Sequence, residues 1–209
     1  MKTALHVIIF IVLLISATVL QASSYCGDLN NRGHGPFDYT NARHRIRLPI
    51  VEAAHFTDRV EKLIAGNTTD YIAGDISYTL NVFPNHHRAL ASMSKLALRE
   101  KTNKPRASKY TILCWFERAI RFKPDDAIVR SIFSSYLVKK NDLKMALEQL
   151  QIAIKLEPEH PTINYNLGLL YFKKKNYDEA RRYARIAYSL NFPLPGLKNK
   201  LIQVNKWKD

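Results

Sequence analysis

An apolar skeleton recurs at a spacing of 34 residues in the second half of this 209-residue chain, and it limits the possible folds more than any other feature. Ala119, Ala153 and Ala187 fall on one another at that spacing, as do Ala146 and Ala180, Phe133 and Leu167, Leu137 and Tyr171, and Pro124 and Pro158. Small residues at fixed offsets, with proline closing the earlier units, mark helix-turn-helix units that stack into a solenoid. Each unit leaves an apolar face that only its neighbour can cover. Alanine at 146, 153, 180 and 187 lets the second helix of a unit approach the first closely, and Leu147, Leu150, Ile154 and Leu156 are expected to supply the buried area. The predicted fold is therefore an all-α solenoid of about four helix pairs.

The best-formed unit, Pro161 to Leu190, reads Asn-Leu-Gly-Leu-Leu-Tyr and then Asn-Tyr-Asp-Glu-Ala. With these residues it resembles the tetratricopeptide repeat family, whose anchors Leu167, Gly168, Tyr171, Ala180 and Ala187 match. Departures are Asn164 and Arg130 at the family's Trp position, Ser134 in place of the first-helix Gly, and Phe192 in place of the closing Pro. The resemblance is strong from Pro124 to Leu190 and weaker from about Asn85. It implies protein–protein binding and complex assembly without catalysis. By the family register the first helix of each unit lines an inner groove, which assigns Arg88, Lys95, Arg99, Ser131, Ser135, Lys139, Thr162, Tyr165, Asn166, Leu169 and Lys173 to it. Such a surface suits an extended peptide or an acidic tail. The competing role for Tyr165 and Leu169 is packing against a neighbouring helix or the arm. Some family members hold a terminal carboxylate with Lys, Asn and Arg at five positions. Here those positions are Ala91, Lys95, Ile132, Thr162 and Asn166, so that clamp is absent.

At the start of the chain, a single Lys2 precedes an apolar run from Ala4 to Leu20, followed by Ala22-Ser23-Ser24. This reads as an export signal over residues 1–22, cleaved after Ala22 or Ser24. The alternative is a retained membrane anchor, since the run is near the lower limit for a bilayer span. Residues 23–50 are rich in Gly, Asn, Asp and Arg, and are expected to form an irregular arm in which Phe37 and Tyr39 dock on the helices. Cys26 and Cys114 are the only cysteines, and in an exported chain they are expected to form a disulfide that staples the arm to the solenoid.

Residues 51–84 read as a divergent helix pair, with Thr57 capping a run that Gly66 ends and Thr69 or Asp70 opening a second. Residues 85–194 carry the repeats: Asn85 to Arg99 with Ser108 to Phe122, Asp125 to Lys140 with Asp142 to Leu156, and Pro161 to Lys175 with Tyr177 to Leu190. Pro84 to Pro124 spans 40 residues, six more than the period, and the excess falls in an exposed loop at Glu100 to Ala107. Residues 195–209 contain a capping helix with Leu197, Leu201, Val204 and Trp207 on one side.

Net charge is +14, with basic clusters at Arg43 to Arg47, Arg99 to Lys109, Lys173 to Lys175 and Arg181-Arg182. Such a balance attracts acidic partners or polyanions. Outside the cytoplasm nucleic acid is disfavoured as partner, leaving an acidic protein or peptide, anionic lipid or a charged envelope polymer. No nucleophile elbow, phosphate loop or paired-carboxylate motif is present, and no cofactor is implied. The histidines show neither helical i, i+4 pairing nor zinc-type spacing, so no metal site is expected. His86 and His87 are expected to cap or solvate a helix start. Asn67-Thr68-Thr69 is a glycosylation sequon, relevant in a eukaryotic source. The leading expectation is an exported, periplasmic adaptor that holds a partner in a basic groove. An accessory to envelope polymer or lipid, and an enzyme using Asp28, His34, Asp38 or His55 between arm and groove, are the alternatives.

Overall fold

A computed structural model describes residues 26–30 and 34–207; the leader expected over residues 1–22 lies outside them. Among the described residues all regular structure is helical. The repeat region is three antiparallel pairs: α4 (His87–Arg99) with α5 (Ile112–Phe122), α6 (Ala127–Lys139) with α7 (Leu143–Leu156), and α8 (Pro161–Lys173) with α9 (Tyr177–Ser189). Before them stand α1 (Leu48–His55), the single-turn α2 (Asp58–Glu61) and α3 (Ile72–Val82), and α10 (Gly196–Gln203) closes the array. The first helices of successive units, α4, α6, α8 and α10, touch one another in turn and form a continuous wall. Among the described residues no helix is long and apolar enough to cross a membrane.

The period is written into the helix ends as well as the core. His86, Asp126 and His160 each accept a hydrogen bond from a backbone N–H of the first turn of α4, α6 and α8. Thr111, Asp142 and Asn176 do the same for α5, α7 and α9. These side chains satisfy amides that a helix start would leave unpaired. Each first helix then stops in the same way, with Lys101, Asn141 and Lys175 in the left-handed region at φ of 52°, 63° and 60°. The following N–H groups of Thr102, Asp142 and Asn176 reach back to Ala97, Leu137 and Tyr171 carbonyls, which closes the turn and sends the chain into the second helix.

One core runs from α2 to α8, with Ile76, Leu80, Leu90, Met93, Leu96, Trp115 and Phe116 almost wholly buried. A second lies under α10, where Leu197 and Leu201 cover Ala180, Ala184 and Ala187. Gly168 is needed there, because a Cβ would meet the Leu197 side chain and come within 3.2 Å of the Ala180 carbonyl oxygen. A third joins the arm to the helices, with Phe37 and Tyr39 against Leu48, Val51, Val82 and Phe83, as the aromatic content of the arm predicts.

Several expectations need correction. Helix starts inside the expected arm: a 3-10 turn over His44–Arg47 continues into α1, where Pro49 occupies an early position that needs no N–H. The run after Thr57 ends at Glu61 rather than Gly66, because Leu63 turns left-handed at φ 58°. The Thr57 side chain makes no capping bond. The next helix begins at Ile72 rather than at Thr69 or Asp70, whose loop is organised by a buried carboxylate described below. Ser108 precedes α5 by a turn; its hydroxyl instead accepts from the Trp115 indole at 3.0 Å. Leu156 and Val204 are 40 % and 37 % exposed, lying past the strips that their helices bury.

Candidate functional site

The inner wall encloses a groove of about 430 Å³ between α6, α8 and α10. Ser134, Ser135, Val138 and Lys139 line it from α6, Asn166, Leu169, Leu170, Phe172 and Lys173 from α8, Leu150 from α7 and Lys200 from α10. Its floor is apolar and its rim carries three ammonium groups with no carboxylate in the lining. Lys139 and Lys173 are the last residues of their helices, one period apart. Lys173 Nζ donates to the Val138 carbonyl at 3.0 Å, a cation at the C-terminal, electronegative end of α6. Asn166 Nδ2 donates to the buried Ser131 hydroxyl at 2.9 Å, which sets the orientation of its amide.

Of the residues assigned to the groove from sequence, Lys139, Asn166, Leu169, Lys173 and Ser135 come together in this cavity. Lys95 and Thr162 are exposed outside its lining. Arg88 is tied down elsewhere: it pairs with Glu61 and with Glu52 and lies over the Phe56 ring at 5.4 Å, and the Glu61 carboxylate holds its pKa above the ordinary arginine value. Arg99 donates to the Leu63 carbonyl at 2.7 Å, holding α4 to the end of α2. Tyr165 is buried beneath α10, stacked on Phe192 with centroids 4.0 Å apart, and burial raises its pKa. Lys200 was missed by the sequence reading. The signal was available, because Lys200 follows Asn166 by 34 residues and so continues the inner wall.

The residues weighed for an enzyme stand in separate networks. Asp28 accepts from the Asn30 N–H, Asp38 is bound by Thr40 and Asn85, and His55 contacts Asp75. His34 is exposed, and it is His44 whose Nδ1 accepts the Asp38 N–H at 3.0 Å. Burial pushes the Asp38 carboxyl up, but hydrogen bonds from Thr40 and Asn85 and the nearby Lys123 outweigh it, so its pKa lies below the usual range. Among the described residues no group of three or more His, Cys, Asp or Glu is placed to hold a metal.

The adjacent histidines serve different joints. His86 is fully buried; its Nδ1 accepts the Ala89 N–H at 3.1 Å while Nε2 lies 3.0 Å from Glu52 Oε1. Only the neutral ring protonated at Nε2 fits both bonds, and burial lowers the pKa accordingly. His87 Nε2 sits 2.9 Å from Asp126, which also accepts from Asn85 and caps α6, so one carboxylate joins two units.

Two features fix the start of the arm. Cys26 and Cys114 form the expected disulfide, with Cα atoms 5.1 Å apart. Beside it Arg118, 2 % exposed, donates through Nη1 to the Cys26, Gly27 and Asp28 carbonyls at 2.9, 3.2 and 2.8 Å and lies over the Tyr110 ring at 4.5 Å. A buried guanidinium is tolerated where such acceptors replace its water. Arg118 was not singled out from sequence, since an arginine on an amphipathic helix reads as solvated.

A search of curated proteins finds no match to this chain. Residues 134–192 match the family model of the tetratricopeptide repeat, covering the end of α6 and the whole of α7, α8 and α9. Proteins built from this repeat generally bind other proteins or peptides and are typically non-catalytic. With its stacked helix pairs, its shared caps and this match, the segment 134–192 is similar to the tetratricopeptide repeat, and the helix pairs around it continue the same architecture.

Proposed function

We propose that the chain is an adaptor that seats an extended acidic segment of a partner protein in the groove between α6, α8 and α10. The observation that carries this reading is the composition of the groove: Lys139, Lys173 and Lys200 around an apolar floor with no carboxylate in the lining. Leu169, Leu170 and Phe172 take apolar side chains of the segment, the three ammonium groups take its carboxylates, and Asn166 offers its amide to the peptide backbone. The volume of about 430 Å³ falls within the roughly 300–1,000 Å³ of ordinary ligand sites. The partner would be met outside the cytoplasm if the apolar run from Ala4 to Leu20 directs export.

The test uses a short fluorescein-labelled peptide of alternating glutamate and leucine and follows its anisotropy. Reversing Lys139, Lys173 and Lys200 to Glu together should weaken binding roughly 100-fold, at about 1 kcal/mol per cation removed. Lys95→Glu, on the same wall but outside the groove lining, should leave it unchanged. Equal affinity of wild type and the triple variant removes the groove from the reading.

A further inference from the structure

The groove accounts for only part of the basic surface. From His44 to His55 the chain is one helical run, because Leu48 keeps right-handed helical angles where the 3-10 turn passes into α1. Its inner face is Leu48 and Val51, packed on Val82 and Phe83. Arg43, Ile46, Arg47 and Ile50 follow one another at i, i+3, i+4 and i+7, so they form a single stripe on the outer face. Ile46 and Ile50 are 76 % and 72 % exposed, the two most exposed large apolar side chains among the described residues. Among those residues neither Arg43 nor Arg47 has an acidic partner.

We infer that this stripe is a docking edge for an anionic lipid bilayer. Arginine and isoleucine alternate along this exposed face, so the protruding Ile46 and Ile50 can reach the acyl boundary while Arg43 and Arg47 stay level with the anionic headgroups. Arginine stems can lie along the apolar layer while their guanidinium groups stay with the phosphates. A protein partner would need carboxylates placed opposite each arginine beside an apolar recess, whereas a lipid surface supplies both at every point. Two isoleucines alone give weak, reversible binding, so the headgroup charge is required. The inference is independent of the groove, which lies on the wall formed by α6, α8 and α10.

The test exploits the absence of free thiols among the described residues. In the full chain, with its disulfide intact, Ile50→Cys carries a nitroxide, and Leu113→Cys, 53 % exposed on α5, carries the control label. With phosphatidylglycerol vesicles, the label at 50 should become accessible to oxygen and shielded from a water-soluble nickel chelate, and the label at 113 should not. Arg43→Gln with Arg47→Gln should lower the partition constant read from label 50 roughly 30-fold, about fivefold for each charge. Phosphatidylcholine vesicles should leave the label in water. A label at 50 that stays in water on vesicle-bound chain, as when the run Ala4 to Leu20 inserts alone, overturns the inference. So does insertion indifferent to headgroup charge or to the two glutamines.

Discussion

Replacing Asp75 with Asn tests how the loop between α2 and α3 is held. The carboxylate is fully buried and receives five donors: Asn67 N–H at 2.7 Å, Thr68 N–H at 3.3 Å, Thr69 N–H at 3.2 Å, the Thr69 hydroxyl at 3.1 Å and His55 Nδ1 at 2.9 Å. Burial alone would raise its pKa, but the bonds from Asn67, His55 and Thr69 outweigh that and lower it. An asparagine placed best would turn its amino group toward His55, whose Nδ1 can become the acceptor, and keep its carbonyl for Asn67 and Thr69. Three bonds then lose their charge assistance, at roughly 0.5–1 kcal/mol each, and the weaker Thr68 contact is lost. The expected loss is about 2–3 kcal/mol for Asp75→Asn and about 3–5 kcal/mol for Asp75→Ala, which leaves the Asn67, Thr68 and Thr69 amides unmet. For a chain of this size that lowers Tm by roughly 4–12 °C for the asparagine. Urea unfolding followed by far-UV circular dichroism gives the energy, and amide exchange at residues 67–69 gives the location. Because the native pKa is depressed, the contribution of Asp75 is complete above the usual carboxylate range and fades as pH falls through the native value. Both variants within about 0.5 kcal/mol of wild type, or unchanged exchange at residues 67–69, would refute the account.

Two further outcomes follow from the arm and the first joint. Removing the disulfide with Cys26→Ser and Cys114→Ser opens a loop with a sequence separation of 88 residues, which the chain-entropy relation values at about 4–5 kcal/mol; a loss under about 1 kcal/mol in urea unfolding would show that Arg118 and the Phe37 and Tyr39 packing hold the arm without the crosslink. His86 has its pKa lowered by burial, so the unfolded chain takes up the proton first and stability declines as pH falls below about 6.5, by at most about 1.4 kcal/mol per unit; His86→Gln should flatten that slope in unfolding measured across pH, and an unaltered slope would place the titrating group elsewhere.

What can be read from this sequence follows from how strongly a position repeats. The packing residues of α6 to α9 recur at one spacing, and the fold of that region is legible from Ala146, Ala153, Ala180 and Ala187 together with the capping Asp142 and Asn176. The groove is half legible for the same reason: Lys139 and Lys173 lie on the period, while Lys200 lies on it too but behind Pro193 and Pro195, which look like the end of the array. Arg88 carries the right charge at the right register, but Glu61 of α2 reaches it, and that contact joins elements whose mutual placement no local pattern records. Asp75 and Arg118 are illegible as anchors for a related reason, since most of their partners are backbone groups, which have no sequence signature. A lone charge inside the apolar run Ile72-Ala-Gly-Asp-Ile was the available hint for Asp75.

The crosslink also decides the mechanical wiring of the molecule. Cys26 joins α5 directly, so tension applied through the chain before it enters the solenoid at Cys114 and runs on toward α10. Helices α1 to α4 lie in the bypassed loop and carry none of that load. A tether at the amino terminus would therefore pull on the middle of the array, and the first helix pairs would keep their shape while the later ones bore the strain.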